Sequence, residues 1–449
     1  MTVHSMSIKK LLGEMVKIFI NFLRVLKSHW FVIFLLAVGL FYSFYSAVFL
    51  KPHDADNLIA LSFGLRNPSE FITGSFTSYF PAYRPLAQLI IWFQYQISGV
   101  SSSESYFVIN ILIWLLCAVF VYLIVHNLTK HKVASAAASL LLFLDQRSFN
   151  SIIWIGERQS SLAVLFGLAA LFVSLRTNRY NIARIFLIMF LLLAAMLCKE
   201  YGIAFAGAIV LIAFTKKKDK GKLILASILS VVIYFVMRFV IASGGGLRNY
   251  CEDMGYFQTV AYICYQNLPL MVEIKQHIYN TGASFIGTFM PLAFTDKGQI
   301  ILSPEIIIHY APSFVLALWV TCLAIFALIK QHKKALPFLG LIIFCAILNF
   351  MLYRGRNQLV GVTGLSIIFG LGLSGLKVKK QLIPLFCFVI VFLILLFPGR
   401  RLRNDILEYT ALEPSNTYCL QERYPFDINR DVVSNLNQKY NLIFRECDD

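Results

Sequence analysis

The sequence predicts an all-α polytopic membrane protein, and three observations predict it. Residues of the AVILMFWYC set make up 58% of the chain and charged residues only 14%, with a mean hydropathy of +0.71; soluble domains are roughly 45–50% apolar even with Gly counted. The apolar residues are gathered into uncharged runs approaching the roughly 20 residues that a spanning helix needs. The Lys and Arg behind the net charge of +17 lie mostly in short clusters between those runs. That is the positive-inside pattern of membrane topology, so no nucleic-acid partner is implied.

Taken in order, Ile8 to Lys27 sets Leu, Ile, Phe and Val against Lys and Arg at helical spacing. Residues 1–29 are therefore expected to form a cytoplasmic amphipathic helix ahead of an uncleaved anchor. Trp30 to Leu50 is the first span, and residues 51–105 form an extracytoplasmic loop with enough Phe, Tyr and Trp for short helices. Six further spans follow: Tyr106 to Leu128, Val133 to Leu144, Ser160 to Leu175, Ile185 to Cys198, Gly202 to Phe214 and Leu223 to Ala242. Residues 243–310 carry Pro269, Pro291 and Pro304 and suit interfacial or re-entrant helices. Pro312 to Ile329, Leu336 to Leu352, Leu359 to Leu376 and Leu382 to Phe397 complete a transmembrane domain, 30–398, of about eleven spans. Residues 399–449 form a short polar tail, expected outside and too short for a large core of its own.

With the N-terminus inside, the basic clusters at Lys130, Arg176, Lys216, Lys330 and Lys377 all fall in the cytoplasm. The Arg400-Arg401-Arg403 cluster is the exception, since parity puts it outside. The nine cysteines show no CxxC pair and no metal-ligand spacing. Whether Cys419 and Cys447 pair in the tail stays open.

The same topology collects Asp54, Asp56, Arg84, Asp145, Arg147, Glu157, Arg158, Lys199, Glu200, Arg354 and Arg356 at the extracytoplasmic boundary. An ionisable group there is costly unless it faces a polar cavity or a partner. Cationic side chains suit a lipid-linked phosphate, which Arg can hold bidentately, and a carboxylate can act as general base toward a hydroxyl. Two other readings compete: solvated helix ends with snorkelling cations, and a polytopic lipid or glycan transporter or flippase-like permease. Transporters place ionisable groups near the midplane of repeated halves, whereas these charges line one rim and no repeat is visible. His53 beside Asp54 and Asp56 does not fix a metal geometry, so no metal or other cofactor is assigned.

Four stretches in this order resemble a known family: Asp54-Ala55-Asp56 after the first span, Tyr83-Arg84-Pro85-Leu86 with Gly99 and Asn110 downstream, WIGERQSSLA from Trp154 to Ala163, and Lys199-Glu200-Tyr201-Gly202-Ile203. A weaker fifth runs from Arg356 to Leu365. Together they resemble the GT-C class glycosyltransferases that use polyprenyl- or dolichyl-phosphate sugars, nearest the transmembrane O-mannosyltransferases with tetratricopeptide repeats and their bacterial relatives. The chain departs from that family in lacking the repeats, in Ser160 where an acidic residue is common, and in Ala55 separating the two aspartates.

The resemblance implies an inverting membrane glycosyltransferase. Its donor would be a polyprenyl-phosphate sugar, its acceptor a glycan, lipid or protein, and its site the extracytoplasmic face, in cell-envelope glycosylation; a bacterial plasma membrane is the expected location because no eukaryotic retention signal is seen in the sequence. Asp54 matches the family's catalytic base, with Asp56 as runner-up; Arg84, Arg158, Lys199 and Arg356 would hold the donor phosphate. Glu200 would orient Lys199 or Arg158, and Tyr83 would be a sugar-stacking wall or a belt aromatic.

Overall fold

The computed structural model describes residues 8–44, 60–73, 83–99, 103–143, 145, 148–176, 180–216, 219–241, 270–289, 311–349, 358–376, 417–421 and 443–447. Helix α1 (Ile8–Ser28) is the expected amphipathic segment, with Lys27 in its last turn. It is followed at once by α2 (Trp30–Phe44), which is apolar all round. The expected continuation of that span to Leu50 lies outside the described residues.

The described parts of the expected first loop are helical. They include α3 (Pro68–Thr73) and α4 (Pro85–Ser98). Pro85 opens α4 at its first position, where a missing N–H removes no intrahelical bond. Gly99 closes it at φ 60°, a left-handed conformation that suits glycine.

The bundle proper is α5 (Ser103–Thr129), α6 (Lys132–Phe143), the short α7 (Ser148–Ile153), α8 (Arg158–Arg176), α9 (Ile182–Cys198), α10 (Ile203–Thr215) and α11 (Lys220–Val236), which runs into a π-helical turn, Met237–Ile241. After it come α12 (Leu270–Phe289), α13 (Ala311–Lys330), α14 (His332–Leu348) and α15 (Leu359–Gly375). By length and composition, three stretches among the described residues can cross a membrane outright: Glu104–Thr129, Arg158–Arg176 and Lys220–Val240. Shorter apolar helices lie beside them, including Ile182–Cys198 and Leu359–Gly375. The chain is an integral membrane protein. The last expected span, Leu382 to Phe397, lies outside the described residues.

Helix α8 packs against α5 on one side and α9 on the other, and α10 bridges α11 and α14. Helix α15 is the spine: every residue from Leu359 to Leu373 is buried, against α6, α13 and α14. Burial all round demands close backbone approach, which small residues permit between membrane helices. A Cβ on Gly372 would lie 2.2 Å from the Leu323 carbonyl oxygen, and one on Gly364 would lie 2.6 Å from that of Phe338.

Among the described residues, two groups of charged side chains are held at different ends of the helices. At one end two lysines reach helix C-termini, where the last carbonyls lack partners and the dipole is negative. Lys334 Nζ donates to the Leu128 carbonyl at 2.9 Å and Lys216 Nζ to that of Leu175 at 3.4 Å. The opposite end gathers the start of α4, the turn before α8 and the turn between α9 and α10. In the tail, β1 (Thr417–Gln421) and β2 (Ile443–Cys447) pair in parallel. This short ladder was not expected. Its register sets Cys419 opposite Arg445 and Cys447 opposite Gln421, so the two cysteines are not cross-strand partners.

Candidate active site

Three separate segments supply the charges at that end, and each is placed by a local rule. Arg84 is the N-cap of α4, fixed by the proline that follows it. Its neighbour Tyr83 is buried, with its hydroxyl donating to the Ile72 carbonyl at 3.0 Å, which ties α3 to the start of α4. Glu157 lies in the turn just before α8. Lys199 and Glu200 lie where α9 ends and a 3-10 turn (Glu200–Gly202) reverses the chain into α10. Gly202 makes that reversal sterically feasible, since a Cβ there would sit 2.5 Å from the Ala195 carbonyl carbon.

The result is two adjacent ion pairs of unequal character. Arg84 holds Glu200 bidentately: Nε donates to Oε2 at 3.1 Å and Nη2 to Oε1 at 2.7 Å. This pair keeps access to the outside, with side-chain exposures of 12% for Arg84 and 31% for Glu200. Lys199 Nζ donates to Glu157 Oε1 at 2.6 Å and to Ser160 Oγ at 2.6 Å. Ser160 itself donates to Glu157 Oε1, closing a triangle. That pair is sealed, at 4% and 5%.

Electrostatics couples the four groups. Burial works against the Lys199 ammonium and Arg84 adds repulsion; Glu157 offsets part of this, leaving its pKa at about 8. Burial alone would raise Glu200, but the charge and hydrogen bonds of Arg84 outweigh it and hold the carboxyl at about 2. Burial likewise opposes the Arg84 guanidinium, and Glu200 more than compensates, so it stays charged. Near neutral pH this corner of the bundle therefore contains two cations and two anions.

Arg158, expected beside them, serves a different network. It is fully buried. Its Nε donates to Asn110 Oδ1 at 2.6 Å, its Nη1 to Gln94 Oε1 at 2.6 Å and its Nη2 to the Tyr106 carbonyl at 2.9 Å. Asn110 passes the connection on, donating to the Ile152 carbonyl at 2.9 Å, and Gln94 donates to Ser105 Oγ at 3.1 Å. The guanidinium thus bolts α4, α5 and the α7–α8 turn together through neutral oxygens.

Of the residues singled out from the sequence, Tyr83, Arg84, Lys199 and Glu200 converge, and Arg158 stands behind them. Asp54, Asp56 and Arg356 lie outside the described residues. The expected partner of Glu200 was Lys199 or Arg158; the observed one is Arg84. The sequence reading gave no role to Glu157, Gln94 or Arg238. Glu157 was legible as the acid inside WIGERQSSLA. Arg238 sits in the π-helical turn, a distortion frequent at functional sites, and donates to Tyr234 Oη at 2.9 Å. Among the described residues no three His, Cys, Asp or Glu converge as metal ligands.

Comparison with known proteins meets the resemblance read from the motifs. Residues 81–243, which contain every described candidate above, match the family model for dolichyl-phosphate-mannose-protein mannosyltransferase. The fold is similar to that of an oligosaccharyltransferase from Archaeoglobus fulgidus, solved with a tethered acceptor peptide containing the NVT sequon. The TM-score is 0.52 at 14% identity, over 85% of this chain and 55% of that one. The chain thus spans about half the length of that enzyme. No curated protein sequence matches the chain significantly. Over residues 81–243 the chain is thus similar to that mannosyltransferase family, and its fold is similar to that of the oligosaccharyltransferase.

Proposed function

We propose that the protein transfers a sugar from a polyprenyl-phosphate-linked donor to a glycan, lipid or protein acceptor at the extracytoplasmic face of a bacterial plasma membrane, with inversion. The observation that carries this is the pair of adjacent ion pairs, Arg84–Glu200 and Lys199–Glu157, assembled from three segments at the bundle end opposite the basic helix C-termini. Such a cluster within an apolar bundle is costly to form unless it has work to do on charge. The donor named in the matched family's description, a lipid phosphate carrying mannose, supports the substrate class.

In this reading Arg84 meets the donor phosphate and Lys199, sealed beside it, adds its positive field, so that together they stabilise the charge that grows as the glycosidic bond breaks. Arg356 would join them. Arg158 holds the framework and does not touch the substrate. Asp54, with Asp56 as runner-up, takes the proton of the acceptor hydroxyl as that oxygen attacks the anomeric carbon in line.

The test is turnover of radiolabelled polyprenyl-phosphate hexoses by purified protein in detergent, wild type against Asp54→Asn. Release of free lipid phosphate is expected from the wild type only, with donor binding retained in the variant. Binding of lipid phosphate without turnover, across donors and acceptor extracts, would favour a lipid or glycan transporter instead.

A further inference from the structure

Every cation in the described cluster already has a carboxylate, so an incoming phosphate competes with a carboxylate for the same cations, and at Arg84 for the bidentate Nε/Nη2 edge that Glu200 holds. The two pairs differ in how readily they yield. Lys199–Glu157 is sealed, braced by Ser160 on both members. Arg84–Glu200 is the accessible one, and Glu200 is its most exposed member at 31%. Glu200 sits on a 3-10 turn whose carboxylate reaches Arg84 across a gap in sequence of 116 residues, and it presents to the guanidinium the same two-oxygen edge that a phosphate would.

We propose that Glu200 is a displaceable internal counter-ion: it occupies Arg84 in the empty protein, gives way to the phosphate of the lipid-linked substrate, and returns to expel the lipid phosphate after transfer. The inference rests on the lipid-phosphate reading above and adds to it a role for a carboxylate of the same sign as the ligand. Two consequences follow from charge alone. With no acceptor on Arg84 the empty site would hold a buried, uncompensated cation, which is strongly unfavourable. With Glu200 present, every phosphate binds against a competitor at high effective concentration, which weakens ground-state and product binding alike. The leaving phosphate monoester carries more charge than the diester donor, so without the competitor it would be held most tightly.

The experiment measures the dissociation constant of farnesyl phosphate and of uncharged farnesol in detergent for wild type, Glu200→Gln and Glu200→Asp, beside thermal stability. Glu200→Gln keeps the side chain's shape but loses its charge. It is expected to bind farnesyl phosphate about tenfold tighter, with farnesol unchanged, and to show stronger inhibition of turnover by lipid phosphate. Glu200→Asp keeps the charge but is one methylene short of Arg84, and is expected to shift the same way by a smaller factor; it serves if the glutamine variant fails to fold. A folded variant that binds farnesyl phosphate no tighter than wild type overturns the counter-ion role and makes Glu200 a positioning residue for Arg84, leaving the lipid-phosphate reading intact. Absence of farnesyl phosphate binding in all three folded proteins overturns both.

Discussion

Arg158 offers the sharpest separation between a framework role and a ligand-binding one. Its guanidinium makes three hydrogen bonds of 2.6, 2.6 and 2.9 Å to neutral acceptors on α4 and α5, with no exposed surface. A hydrogen bond to a charged group contributes about 1.5–3 kcal/mol. Arg158→Met removes all three and leaves Asn110, Gln94 and the Tyr106 carbonyl short of a donor. Relief from burying a cation offsets part of the loss, so the net destabilisation is about 3–5 kcal/mol. At about 2 °C per kcal/mol for a large chain, the midpoint falls by roughly 6–10 °C. Arg158→Lys keeps the charge but replaces a planar fork with a point donor and should fall between. The assay is heating in detergent followed by size-exclusion detection of the surviving monodisperse peak. A variant that keeps its midpoint within about 2 °C yet loses farnesyl phosphate binding would refute this, because Arg158 would then be a ligand contact.

Turnover should decline as pH rises through about 8, where Lys199 loses its proton. Stability runs the other way. The folded pKa lies below the ordinary lysine value, so between about 8 and that value the unfolded chain holds more protons and stability rises with pH. A pH–rate profile beside a pH–melting profile checks the opposed signs, and parallel falls would defeat the assignment. Gly202→Ala puts a Cβ 2.5 Å from the Ala195 carbonyl carbon, displacing the turn that carries Lys199 and Glu200. A cost of about 1–3 kcal/mol and lost farnesyl phosphate binding are expected from the same two assays. Gly372→Ala meets the Leu323 carbonyl at 2.2 Å, far from the site. It should lower the melting midpoint while sparing binding by the protein that remains folded.

Much of the bundle was legible because hydropathy and charge clustering are properties of contiguous stretches. The boundaries of α5, α8, α13 and α15 fall within a few residues of the expected spans. The site was legible as a set of residues but not as a set of partnerships. Tyr83-Arg84-Pro85-Leu86 and Lys199-Glu200 stand out as motifs, yet nothing in either says that Arg84 meets Glu200; that follows from α4 lying against α9, a contact between segments more than a hundred residues apart. Asn110 is similar. It stands in sequence only as the polar end of the stretch that follows Tyr83-Arg84-Pro85-Leu86, and its partner Arg158 is seen only in the fold. Arg158 itself looked like its neighbours on the rim, because sequence gives its distance from the helix start but not which way the first turn faces. The π-helical turn at Met237–Ile241 carries no composition signal at all.

The contrast between the two ion pairs bears on how such a site tolerates a charged, membrane-bound substrate. A cavity lined only by cations would hold a lipid phosphate firmly before and after the reaction, and uniform binding of this kind does not raise the rate of the chemical step. Pairing each cation with a carboxylate of graded accessibility changes that balance. The sealed Lys199–Glu157–Ser160 triangle would set a fixed local field, whereas the more open Arg84–Glu200 pair is the one proposed to exchange its anion. Positive potential is then released only when a ligand presents enough charge to compete. In the proposed reaction the group that gains charge is the phosphate from which the sugar departs, so the exchange would favour the transition state over the resting donor. Arg158, bonded to neutral oxygens within the framework, keeps α4 and the α7–α8 turn fixed while that exchange takes place.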